Sequence, residues 1–367
     1  MIEVMYVKEI ELYNFRNYRE EKISFNDKVN IFLGNNAQGK TNLLEGIYLN
    51  AFGKSFKNVK DKELIRFGEE FCRIKTTIRK EDEDEIVEIV INKEGKKGIK
   101  REGIKLKKAS ELLEEYHMIV FSPEDLKIVK EEPEKRRRFI NRELCQIRKG
   151  YLSDFNDYRK ILKQRNAYLK EFAIDDTVLD IWDLELAEYG SRIISKRKAF
   201  IEMLGPVCSD INERITGGKE KLEVKYEPNI FFEEDLKNKF YDLLKRNRED
   251  DKRHRTTGRG PHKDDMKIVS NDIDLRKFGS QGQQRTAALS LKLSEIAIIE
   301  RETGEKPILL LDDVLSELDN ERQMYLINTL GENQLFVTTT DIMDPVAKNL
   351  PEGKIFKIDK GEIRFNL

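Results

Sequence analysis

Gly34, Asn35, Asn36, Ala37, Gln38, Gly39, Lys40 and Thr41 place glycine, lysine and threonine at the spacing of a phosphate-binding loop. The residue types suit that chemistry. Gly34 and Gly39 let the chain turn successive N–H groups toward one anion. A helix starting at the loop adds unpaired N–H groups and positive potential. Lys40 then reaches the β- and γ-phosphates, and the Thr41 hydroxyl ligates Mg²⁺. The expected cofactors are ATP and Mg²⁺, with all eight residues binding nucleotide and Lys40 also catalytic.

A second run, Pro307–Asp319 ("PILLLDDVLSELD"), carries the complementary carboxylates. Four apolar residues read as a buried strand that delivers Asp312 and Asp313 at its carboxyl end, where α/β sheets bind ligands. Asp312 suits Mg²⁺, directly or through water. Asp313 is placed to polarise an attacking water, although Asp reaches less far than Glu. Alone, such a pair also fits a turn or helix cap; the loop upstream favours the metal.

A third run, Gly279–Arg285 ("GSQGQQR"), opens a helix about thirty residues earlier. It resembles the signature motif of the ABC ATPase superfamily, in the S-x-G-Q form of its chromosome-maintenance and repair branch. There the motif caps the γ-phosphate held by an opposed subunit. The resemblance implies that Ser280 offers its hydroxyl, that Gly282 permits close approach, and that the helix N-terminus attracts phosphate. The plain alternative is a Gly/Ser helix cap. Ser316–Asp319 matches that superfamily's D-loop. Two features depart from transporter-type members. "TTTD" (Thr338–Asp341) stands where a switch histidine is usual, and Glu124 or Asp125 stands where a Q-loop glutamine is usual.

The elements that must hold these residues come next. Val29–Leu33 reads as a buried strand, and Leu44, Ile47, Tyr48, Ala51 and Phe52 recur at helical spacing after the loop. Arg73–Ile78, Glu85–Ile91 and Gly98–Leu106 look like antiparallel strands. In the middle, Ile140 to Leu169 and Trp182 to Ile211 step by threes and fours, split by Lys170–Thr177. They predict two helices folded into a short antiparallel pair, as a supercoil or as ordinary bundle helices. Gly205–Pro206 should break or kink the second. Hairpins are expected about Asn271–Asp272 and over 354–365. The fold class is therefore α/β: an ABC-type P-loop ATPase lobe with an antiparallel β segment, residues 1–118 and 256–367, interrupted by a mainly helical lobe, 119–255.

A chain of 367 residues suits two domains. The net charge is −1 with 37% charged residues, so any affinity for nucleic acid must come from one basic face. Three cysteines without paired spacing indicate neither a disulfide framework nor a zinc site. No apolar stretch approaches membrane-spanning length, and the expectation is a cytoplasmic protein without a membrane partner.

"LYNFRNY", "GKSFK", "FSPEDL", "EKRRRFIN" and "GPHKDD" (Gly260–Asp265) join the ATP motifs in one order along the chain. In that order they resemble the RecF family of bacterial recombination mediators. The resemblance implies that Arg16 and Asn17 contact ATP. It implies an ATP-dependent homodimer that holds double-stranded DNA and releases it by weak ATP hydrolysis. It implies the partners RecR and, through it, RecO, with RecA loaded at the edge of a single-stranded gap. DNA contact would come from Lys and Arg against phosphates. The candidates are Lys54, Lys57, Lys60, Lys62, Arg73 and Lys75, with Lys135–Arg138 and the charge run Lys245–Arg255 behind them. "EKRRRF" would alternatively pack the insertion onto the ATPase lobe. Another SMC-like repair ATPase or a transporter ATPase subunit is the competing reading. The absent switch histidine, the long insertion and "GPHKDD" weigh against the transporter.

Overall fold

The computed structural model describes residues 5–57, 59–80, 83–113, 115–231, 234–330, 333–340 and 353–365. Contacts divide the chain into two units: Met1–Asp125 with Lys292–Leu367, and Leu126–Leu291.

The first unit contains two six-stranded sheets. One runs in the order Glu362–Phe365, Lys354–Asp359, Val29–Leu33, Leu335–Thr339, Ile308–Asp312, Met118–Phe121. All its neighbours are parallel except the edge hairpin. Val29–Leu33, Leu335–Thr339 and Ile308–Asp312 are buried at every position, which is why they read as continuous apolar runs. The other sheet is antiparallel, in the order Tyr18–Ser24, Tyr6–Phe15, Phe71–Lys80, Glu83–Asn92, Lys97–Arg101, Ile104–Lys105. Its strands alternate, with Ile74 and Ile78 or Val87, Ile89 and Ile91 facing inward. A register shift between Val7 and Glu9 lets both Val7 and Ile10 face the core. The helix Lys40–Phe52 buries Leu43, Leu44, Ile47 and Tyr48 in one cluster with Ile10, Leu12, Ile74, Leu310 and Phe336, residues of both sheets. That burial fixes the phosphate loop at the carboxyl end of Val29–Leu33.

The second unit is built on the helices Pro133–Ile147, Tyr151–Tyr168 and Asp176–Thr216, with a small sheet of Leu222–Glu227, Asp265–Ser270 and Ile273–Asp274. Tyr151–Tyr168 and the first half of Asp176–Thr216 run antiparallel. Arg165 pairs with Asp183 while Lys196 pairs with Asp154. Three expectations change. The first apolar series is two helices, because Gly150 takes φ +74° and starts a new one. Pro206 does not break the second helix, which runs 41 residues from Asp176 to Thr216. The chain leaves the insertion at 291 rather than 255, because the strand Asp265–Ser270 pairs with Leu222–Glu227 inside the second unit. Both expected hairpins form. Asn271 and Asp272 at φ +46° and +65°, and Lys360 and Gly361 at φ +50° and +81°, make their turns.

Candidate functional site

The phosphate loop is held by backbone geometry that few side chains tolerate. Gly39 sits at φ +121°, and a Cβ there would lie 2.5 Å from Asn17 Nδ2. Asn17 Nδ2 donates to Gln38 O at 2.8 Å, and Tyr18 OH donates to Gly39 O at 3.0 Å. From the other side, Lys360 N–H donates to Gln38 Oε1 at 2.6 Å and Gly361 N–H to Gln38 O at 3.0 Å. The "NFRNY" segment and the closing hairpin therefore brace the loop.

Lys40 Nζ lies within the loop and donates to Gly34 O and, at 3.1 Å, to Asn35 O. Burial pushes this ammonium below the usual lysine range, against the pull of Asp313 and Asp312. Thr41 Oγ1 donates to Asp312 Oδ1 at 2.7 Å. Burial pushes the Asp312 carboxyl upward, while Thr41, Thr338 and Lys57 pull it down. One hydroxyl and one carboxylate at this separation can share a Mg²⁺ that takes its other ligands from phosphate and water. Thr338 Oγ1 donates to Asp312 Oδ1 at 3.1 Å and accepts from Asp313 N–H at 2.9 Å. That hydrogen bond holds Asp313 at φ +54°. A cavity of about 260 Å³ follows, lined by Asn36, Ala37, Gly39, Lys40, Thr41, Asn42, Lys57, Asp313 and Thr338.

Of the "TTTD" run, Thr338 thus links Asp312 and Asp313 beside the cavity, while Asp341 lies outside the described residues. Asp125 Oδ2 accepts from Ser122 N–H at 2.7 Å, and Glu124 is exposed; neither lines the cavity. Arg16, at φ +54°, forks onto the buried Glu45 at 2.9 and 2.8 Å. With Asn17 and Asn42 it borders an adjoining cavity of about 580 Å³ that includes Arg66 and the fully exposed Phe67.

Ser280, a residue of the second unit, caps the helix Gln281–Thr303. Its Oγ accepts from Gln283 N–H at 3.2 Å, and Gln283 Oε1 accepts from Ser280 N–H at 3.0 Å, a reciprocal capping box. Ser280, Gln281 and Gly282 are exposed, as is Phe278. In the first unit, Ser316 Oγ of the "SELD" run donates to Asp313 O at 2.8 Å.

The basic candidates separate. Lys54, Lys60 and Lys62 are exposed, without ion pairs among the described residues. Lys57 is not an open-surface lysine: it lines the phosphate cavity, 3.4 Å from Glu45. Arg73 pairs with Glu88 at 4.0 Å and Lys75 with Glu11 at 3.4 Å, so both are rungs of cross-strand ion pairs. Of Lys135–Arg138, Arg136 is buried on Asp265 at 2.6 and 3.0 Å, and Arg137 donates to Asp264 O at 2.7 Å. "EKRRRF" and "GPHKDD" therefore bind each other inside the second unit. In the run 245–255, Arg248 is buried on Asp183 and Lys252 pairs with Asp176 at 3.0 Å. Sequence reasoning missed Glu45 altogether. Its signal was a carboxylate on the apolar side of the loop helix, which needs a cation.

The matches to known proteins extend over nearly the whole chain. Residues 6–350 match the family model described as the RecF/RecN/SMC N terminal domain. The chain is 47% identical over 365 residues to the DNA replication and repair protein RecF of Agathobacter rectalis, covering 98% of this chain and 99% of that one. A solved structure described as the recombination mediator protein RecF-ATP in the RecFOR pathway superposes with a TM-score of 0.92 at 40% identity, covering 99% and 98%. An Smc head domain from Pyrococcus furiosus shares the fold alone, at 15% identity and a TM-score of 0.59 over 99% and 96% of the two chains.

Proposed function

We propose that this chain, which belongs to the RecF family of ABC/SMC-like ATPases, is an ATP-controlled dimeric clamp on double-stranded DNA in replication and repair. The observation that carries this is the phosphate cavity. Lys40 is held on backbone carbonyls and Asp312 on two threonine hydroxyls, a buried set of charges that an Mg²⁺-triphosphate would complete.

Lys40 binds the β- and γ-phosphates, Thr41 and Asp312 hold Mg²⁺, and the nucleoside lies toward Arg16 and Asn17 in the adjoining cavity. Ser280 and Gly282, exposed at a helix start, cap the γ-phosphate on a second copy. A twofold pair then encloses two nucleotides. Nucleotide buried between two copies favours only the dimer, so ATP shifts association by linkage. Asp313, beside the cavity, orients water for slow hydrolysis, and hydrolysis opens the dimer. Lys54, Lys60 and Lys62 supply phosphate contacts to duplex DNA without reading sequence. The partners are RecR, RecO through it, and RecA indirectly at a gap edge. No helix among the described residues is long and apolar enough to cross a membrane, and a cytoplasmic site of action accompanies this reading.

Light scattering with and without ATP, with and without duplex DNA, at two salt concentrations tests it. The expected result is a monomer that doubles in mass with ATP and then retains DNA. Ser280→Arg should bind ATP as a monomer and fail to pair. A wild-type chain that binds ATP yet stays monomeric on DNA overturns the clamp.

A further inference from the structure

The carboxylate of Glu45 is fully buried on the loop helix and touches both cavities through its partners. Arg16 donates Nε to Oε2 at 2.9 Å and Nη2 to Oε1 at 2.8 Å. Ser55 Oγ donates to Oε1 as well. Those contacts already satisfy a buried carboxylate. Lys57 is nonetheless brought to 3.4 Å from Oε2, so the cluster has two cations for one anion. The second cation, Lys57, lies on the wall of the phosphate cavity, where Asp313 also stands and where its charge reaches Asp312.

The same carboxylate also fixes where the two cations stand. Ser55 Oγ, oriented by its bond to Glu45, accepts from Lys57 N–H at 3.0 Å, so the backbone turn of Lys57 is held with its side chain. Arg16, anchored by two nitrogens, extends Nη1 to Glu63 O at 2.9 Å on the wall of the adjoining cavity. Asn42, three residues before Glu45 on the same helix face, lines both cavities. It accepts from Lys57 Nζ at 3.0 Å and donates to Asn17 Oδ1 at 2.9 Å.

We infer that Glu45 is a positioning residue for the nucleotide: through one carboxylate it sets Lys57 at the phosphate end and Arg16 at the nucleoside end. This rests on the nucleotide reading above. An ordinary structural ion pair would need only Arg16.

Binding of ATP, AMP and inorganic tripolyphosphate to the full chain, by calorimetry or competition, separates the two ends. Lys57→Met should weaken tripolyphosphate about tenfold and leave AMP unchanged, the size of one charge-assisted hydrogen bond. Arg16→Ala should weaken AMP and spare tripolyphosphate. Glu45→Gln should do both. Adding Lys57→Met to Glu45→Gln should cost tripolyphosphate no more than about a further twofold, because both act through one contact. If Glu45→Gln does not fold, Ser55→Ala carries the test, with tripolyphosphate weakened about threefold and AMP unchanged. Glu45→Gln or Ser55→Ala that lowers the melting temperature while leaving both affinities at wild-type values overturns the inference. A wild-type chain that binds none of the three overturns the nucleotide reading itself.

Discussion

Two polar centres in this molecule are built oppositely. In the second unit, Arg165 is fully buried and donates to Asp183 at 2.7 Å, Asp251 at 2.7 Å and Thr257 at 2.8 Å. Arg197 reaches Asp264 at 2.9 Å, Pro261 O at 2.6 Å and Asn141 at 2.9 Å. Burial works against its charge, but Tyr151, Tyr226 and Asp264 hold it above the usual arginine range. Only Arg165 Nη2 in this group lacks a partner. In the phosphate cavity, by contrast, Lys40 rests on its own loop and Asp312 is pushed upward by burial. One centre closes on itself and ties helices together. The other leaves charges facing a cavity. Motif specificity does not distinguish them: "GPHKDD" and "RRRF" are rarer strings than a phosphate loop, yet Arg136, Arg197, Asp264 and Asp265 neutralise one another.

The contrast breaks most readily at Arg165. Arg165→Met should cost roughly 3–5 kcal/mol in urea unfolding, because buried Asp251 loses its cation and Asp183 is left with Arg248 alone. A loss below about 1 kcal/mol would mean that water reaches the network.

His262 gives the next largest effect. Its Nδ1 accepts from Tyr158 OH at 2.7 Å and its Nε2 donates to Thr257 O at 3.0 Å, so both ring nitrogens are occupied in the neutral form. Burial lowers its pKa to about 4. The unfolded chain therefore binds the proton first as pH falls. The contribution is complete above about pH 6.5 and is lost as pH falls toward 4, by up to roughly 3 kcal/mol. Unfolding midpoints at pH 7 and pH 5 should differ more in wild type than in His262→Asn.

The cavity should respond the other way. Asp312→Asn removes a charge that burial disfavours and keeps an oxygen for Thr41. Its melting temperature should match or exceed wild type while Mg²⁺-dependent ATP affinity falls about tenfold or more. A melting temperature that falls with affinity would make this carboxylate structural.

On the surface the same distinction is weakest. Lys54, Lys60 and Lys62 changed together to Ala should reduce the salt slope of duplex binding by about two to three. Arg73→Ala with Lys75→Ala should change it by less than one and cost under about 1 kcal/mol in stability.

The ATPase lobe was largely legible because its signals are local. Val29–Leu33 and Ile308–Asp312 are buried runs with ligands at their ends, and Thr41 and Asp312 meet as their motifs required. Hairpins at 271–272 and 360–361 were written in turn residues. What was hidden depends on distant partners. Lys57 and Lys54 look alike in sequence, but only Lys57 has Glu45 beneath it. Arg136 reads as a surface charge until Asp265, 129 residues away, is folded against it. Gly205–Pro206 signals a break or a kink, and the helix is not broken there: Cys208 and Ile211 beyond it are buried like Leu204 before it, and continued packing can outweigh one lost backbone hydrogen bond.

Asp313 sits in the left-handed region, a conformation open to glycine, asparagine and aspartate and costly for most other side chains. Replacing it with glutamate, the usual way to keep a carboxylate while lengthening it, would therefore disturb the turn that Thr338 holds as well as the chemistry. Asparagine isolates the charge, glycine isolates the side chain, and disagreement between those two variants would report on the oxygen atom rather than on the peptide that carries it.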